Sequence, residues 1–188
     1  MNERNEPADQ RNWMLLLDSD WDGPGDDDPD AADVPPVEAI VGGWLVDDDG
    51  TVGEFESNPL YRPRNADSPT SPVDAAVKLV AAGRADADLV LLALRDSLVD
   101  LALDEAGDVL VASAPDGVTC VLVVTSAADQ VRIDDVPQWR QVDVYELLRL
   151  LPSGLDVLLN PAGPRAMRLL ASALRDAAGQ TTDESATP

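Results

Sequence analysis

The side chains of this chain that could do chemistry are mostly carboxylates. Asp18-Ser19-Asp20-Trp21-Asp22-Gly23 follows the D-x-D-x-D-G pattern that opens a calcium-binding loop. A hard cation there needs oxygen ligands at loop positions 1, 3 and 5, a glycine turn at 6 and a bidentate glutamate at 12. Position 12 is Pro29, which has no side-chain oxygen. The expectation is therefore a solvated acidic loop and no metal site. Asp47-Asp48-Asp49-Gly50 has chelating side chains too, but Asp and Gly in that order mark a hairpin turn. Cys120 lies in an apolar run with no basic residue beside it, so an inert buried thiol is expected. Gly42-Gly43 leads into a strand, whereas a phosphate cradle opens a helix. No cofactor is expected.

The same acidic stretch has a second reading. Leu15-Leu16-Leu17-Asp18-Ser19-Asp20 is an apolar strand ending in D-x-D. It resembles the first motif of haloacid-dehalogenase-like phosphatases, in which the first Asp is the nucleophile and the second a general acid. The resemblance implies a Lys and further carboxylates for Mg²⁺. Lys78 and Asp134-Asp135 occur in the matching chain order, but Trp21 replaces the usual Thr or Val, and the βα alternation of that fold is missing. A metal-dependent phosphatase built on Asp18 and Asp20 is thus the alternative to a protein without catalytic residues.

A third constellation is basic. Residues 132–175 hold six arginines against five acids in a chain whose net charge is −23. Trp139 stands beside Arg140, and Arg165 and Arg168 follow the rigid turn Asn160-Pro161-Ala162-Gly163-Pro164. Arg and Trp are favoured at interface hot spots. Trp139, Arg140, Asn160, Arg165 and Arg168 are therefore the candidate partner-binding residues. The partner would be an acidic protein, secretion-related or otherwise, or the chain's own acidic N-terminal arm. The competing expectation is surface arginines that balance the domain's own acids.

Composition excludes other chemistry. With no histidine, a Ser-His-Asp triad, a Cys-His dyad and a His-ligated zinc are impossible. One cysteine forms no internal disulfide. A charge of −23 opposes nucleic-acid binding, which needs clustered Lys and Arg. No apolar run approaches the roughly 20 residues of a membrane span, and the first eleven residues do not read as a signal peptide. Cytoplasmic residence without membrane insertion is expected.

The elements that must position these residues can be placed from pattern. Residues 1–12 and 179–188 read as disordered tails around one domain over 13–178. Residues 13–17 form an edge strand on that domain, and 22–34, rich in Asp, Gly and Pro, loop out as an acidic mobile segment. A hairpin flanks Asp47–Gly50. Ser71-Pro72-Val73-Asp74 is a capping box with Pro at the first helical position, and Gly83 closes that helix. A second helix over 88–97 is apolar almost all round, which predicts deep burial. Strands are expected at 98–103, 108–112, 118–125 and 155–159, and helices at 143–151 and 170–178. The Cys120–Val124 run is apolar on both faces, as in a central strand. This mixture of meander and crossover predicts an α+β fold, a mixed β-sheet packed against helices.

The order of the C-terminal half resembles the N-terminal domain of SseB, the enhanced serine sensitivity protein. The resembling pieces are a strand ending Val121-Leu122-Val123-Val124-Thr125-Ser126, a Trp loop at 137–140, LLPSGLDVLLNPAGP at 150–164 and MRLLASAL at 167–174. The front part, 35–63 and 67–76, resembles proteins associated with type VII secretion that carry an SseB-like domain. The resemblance spans 13–178. It implies the SseB-like α+β fold and a cytoplasmic accessory protein in a bacterium with a type VII secretion locus; with the Arg and Trp residues above, the expectation is a non-enzymatic adaptor that works by protein contact. It implies no catalytic residues.

Overall fold

A computed structural model of the chain describes residues 12–21 and 35–184, with side chains to residue 179. The acidic loop expected at 22–34 lies outside the described residues, as do most of the N-terminal tail and the last four residues. Where the expected tails overlap the described residues they are structured: Asn12 opens a strand, and 179–184 continue a helix. The chain divides into two compact units between Arg64 and Asn65.

The first unit is a three-stranded antiparallel sheet in the order β1 (Asn12–Leu17), β2 (Ile40–Val46), β3 (Val52–Ser57), with a 3₁₀ turn at Val37–Ala39 before β2. The edge strand expected at 13–17 is present, but its sheet is this small one. The expected hairpin joins β2 to β3. Gly50 takes φ 86°, and Asp49 Oδ1 accepts the Thr51 N–H at 2.9 Å. That bond holds the Asp49 carboxyl below its ordinary pKa. Trp44 and Phe55 meet edge-on at 4.9 Å, and the Phe55 ring lies where a Cβ on Gly42 would sit. Any side chain at 42 would expel it.

The second unit is built on a mixed sheet in the order β7 (Gln138–Val142), β4 (Val99–Leu103), β6 (Thr119–Val124), β8 (Asp156–Leu159), β9 (Met167–Leu169), with β5 (Val111–Ser113) paired to β6. Only β6 and β8 run parallel; the other pairs are antiparallel. Alternation divides the sheet into two faces. Val99, Leu101, Val121, Val123, Val157 and Leu159 point one way and form the main core with Val77 of α1 (Pro72–Ala81), Leu94 of α2 (Asp88–Arg95), Leu147 of α4 (Val144–Leu150) and Leu174 of α5 (Ala171–Glu184). Ala102, Cys120, Leu122 and Leu158 point the other way and form a smaller cluster. A four-residue helix α3 (Ala127–Gln130) follows β6. This is the expected α+β architecture.

Helix α3 and strand β9 are additions to the expected elements, and two expected readings differ. Helix α2 is not buried all round: Val90 and Leu94, one turn apart, enter the core, while Leu92 is half exposed. Its apolar composition hid a one-sided helix. Residues 138–142, read as a loop, are the edge strand β7, of which only Val142 is fully buried. One buried residue gives no period to read.

Candidate functional site

The carboxyl ends of β6 and β8 are adjacent, which is where ligands commonly bind open α/β sheets. Here that position is filled by a buried hydrogen-bonded network from two copies of one pattern, Thr-Ser-x-x-Asp, at 70–74 and 125–129. Each serine caps a helix. Ser71 Oγ accepts the Asp74 N–H at 3.0 Å at the start of α1, and Ser126 Oγ accepts the Asp129 N–H at 3.3 Å at the start of α3. The threonines join the copies. Thr70 Oγ1 donates to Asp129 Oδ2 at 2.9 Å, and Ser71 Oγ donates to Thr125 Oγ1 at 2.9 Å.

Asp129 is the hub. Its Oδ2 also accepts the Ser126 hydroxyl at 2.8 Å, and its Oδ1 pairs with Arg132 Nη1 at 3.1 Å. Asn160, at the end of β8, closes the other side. Its Oδ1 accepts the Thr125 N–H and its Nδ2 donates to Thr125 Oγ1, both at 3.0 Å. Asn160 holds φ 46°, a left-handed conformation that Asn tolerates. Asp74 accepts the Thr70 N–H at 3.1 Å. Burial, with a smaller push from the Asp129 charge, raises the Asp74 carboxyl above its ordinary pKa. The hydroxyls and carboxylates resemble nucleophile–base pairs in type, but their hydrogen bonds are spent on holding α1, α3 and the β6–β8 strand ends in one arrangement. The capping box at 71–74 was legible in the sequence. Its repeat at 125–129 was equally visible as a pattern, but it sits on a single helical turn directly after a strand.

The candidate partner-binding residues are spread across the second unit. Trp139 and Arg140 lie on β7 and Arg168 on β9, the two outer strands, four strand spacings or about 19 Å apart. Trp139 faces the smaller cluster. Arg140 is ion-paired to Glu146, Arg165 to Asp67, and Arg168 to Asp116 at 2.9 Å and Asp156 at 2.7 Å. Asn160 is 3% exposed. Each of these three arginines is paired with an acid of its own unit. Asp156 also accepts the Ala171 N–H at 3.0 Å, which caps α5 and lowers the carboxyl's pKa. Arg168 is moreover a basic neighbour of Cys120, where none was expected, although burial is the larger influence and raises the thiol's pKa.

The D-x-D carboxylates belong to the first unit. Asp18 is buried, and its side chain accepts the Tyr61 hydroxyl and the Asp20 N–H, each at 3.0 Å. It closes the turn after β1. Lys78 belongs to α1 of the second unit, 3.8 Å from Asp67. Asp22 and Pro29 of the calcium-type pattern lie outside the described residues. Among the described residues no group of three or more Cys, Asp or Glu side chains is placed to hold a metal ion, and no helix is long and apolar enough to cross a membrane.

In comparison with known proteins, residues 73–176, more than half of the chain and all within the second unit, match the family described as SseB protein N-terminal domain. No curated protein and no solved structure matches the chain.

Proposed function

The chain belongs to the SseB protein N-terminal domain family, and from that premise we propose that it is a non-enzymatic cytoplasmic accessory protein of type VII secretion that acts by protein–protein contact. The observation that carries this reading is the exposed apolar strand of the first unit. Trp13, Met14 and Leu15 are 42%, 48% and 44% exposed on consecutive positions of β1. Scattered apolar side chains are ordinary on a surface, but three in a row on a sheet edge support contact with a partner. The internal use of Ser71, Asp74, Thr125, Asp129 and Asn160 supports the non-catalytic part. The resemblance of 35–63 and 67–76 to proteins associated with type VII secretion supports the setting.

Affinity purification from the native bacterium tests the reading. Recovery of proteins encoded with the secretion machinery, absent with an unrelated acidic bait, is the expected result. Mg²⁺-dependent turnover of a generic phosphate ester that disappears in Asp18→Asn would replace it with the phosphatase reading.

A further inference from the structure

The two edges of the small sheet are not alike. β3 carries Glu54 and Glu56, charges that discourage a strand from adding there. β1 reads Asn-Trp-Met-Leu-Leu-Leu, with no charge and no proline, and among the described residues nothing pairs with its outer side. Its side chains alternate between faces. Met14 lies opposite Trp44, which lies opposite Phe55. On the other face Leu15 lies opposite Gly43, which lies opposite Glu56. Because Gly43 has no side chain, Trp13 and Leu15 fill its place, 3.2 and 3.1 Å from where a Cβ would be. That face is therefore an apolar shelf with a carboxylate beyond it.

Charge decides what fits. The first unit, 1–64, holds seventeen acids against four arginines. A second copy docking here would bring two such charges together, which self-repulsion opposes. The chain's own segments 1–11 and 22–34 are acidic and supply almost no apolar side chains to lay on the shelf. An extended segment alternating Lys or Arg with aliphatic residues satisfies each feature. Its backbone completes the β1 ladder, its aliphatic side chains meet Trp13 and Leu15 on one face, and its cations, on the opposite face, answer the net negative charge of the unit. We infer that β1 is a docking edge that takes a basic, extended segment of a partner protein as a fourth strand. This rests on the reading of the chain as a protein that works by contact.

The probe is a fluorescein-labelled octapeptide alternating Lys and Val, added to the full chain. The control has the same charge but carries Pro at alternate positions, so it cannot form a ladder. Fluorescence anisotropy should show the alternating peptide binding about tenfold or more tighter than the Pro peptide, and Leu15→Gln, which leaves the charge unchanged, should remove that difference. Amide exchange on the wild-type chain should slow within 12–17 when the peptide is added, a readout that needs no variant. Equal binding of the two peptides, or unchanged exchange at 12–17, would overturn the inference. So would a dimer in sedimentation that Leu15→Gln dissociates, because β1 would then belong to a second copy. If secretion components are recovered equally by wild type and a folded Leu15→Gln, the accessory role stands and the docking edge alone fails.

Discussion

Thr70 donates its hydroxyl hydrogen to Asp129 at 2.9 Å across 59 residues of chain. This bond ties the residue before the cap of α1 to the carboxylate of α3, and so fixes the α1 N-terminus over the ends of β6 and β8. Asp129→Ala would leave the Thr70, Thr125 and Ser126 hydroxyls and Arg132 without their shared acceptor in a buried place. Removing one member of a buried charged network costs roughly 3–5 kcal/mol. A comparable fall in unfolding free energy, read from the urea midpoint at constant slope, is expected. A loss within ±0.5 kcal/mol, the range of surface changes, would show that the network bears no load.

Asn160 contributes two hydrogen bonds to Thr125 and occupies a left-handed position. Asn160→Ala deletes both bonds and places a Cβ-branching-free but still strained residue at φ 46°. Unsatisfied buried groups cost about 1–3 kcal/mol each, so a loss of about 2–4 kcal/mol is expected in the same assay. Asn160→Gly should lose less than Asn160→Ala if strain is part of the cost.

Asp74 sets a pH dependence of known sign. Its folded-state pKa is raised, mainly by burial, so ionising it costs stability. Its contribution is fully present below the unfolded value of 3.8 and is lost as pH rises through the folded value. Asp74→Asn cannot ionise. The stability of the variant relative to wild type should therefore improve as pH is raised from about 3 to 7. Denaturant melts across that range check it, and a flat difference would contradict the assignment.

Asp156 behaves in the opposite sense. The Ala171 N–H, then Arg168, hold its carboxyl below the ordinary value, so its contribution is present above 3.8 and lost as pH falls through the folded value. Asp156→Ala also removes the cap of α5. A loss of about 1 kcal/mol at pH 7 is expected, shrinking toward acid pH. Equal losses at pH 7 and pH 2.5 would argue against a charged cap.

Much of both units was legible because their elements bury regular stripes or carry marked turns. The Ser71-Pro72-Val73-Asp74 cap, the Asp-Gly hairpin and the apolar β6 run each combine local propensity with burial in one direction. The α2 run Leu89-Val90-Leu91-Leu92 misled because composition without polar punctuation hides which face is solvated. The partner-binding set grouped Trp139 with Arg168 by nearness in sequence and type, whereas the sheet order places β7 and β9 at opposite edges. That order is a long-range property, set by which strands pair, and no local pattern records it. The internal Thr-Ser-x-x-Asp repeat carries no local sign of its role for a related reason: that role is a contact between two distant segments.

The most direct measurement is quantitative affinity purification from the native bacterium with the wild-type chain and, as a second bait, Leu15→Gln. Recovery of secretion-machinery proteins by the wild type, reduced about tenfold or more by Leu15→Gln, is the predicted result. Recovery no greater than with an unrelated acidic bait of similar charge would contradict a role by protein contact.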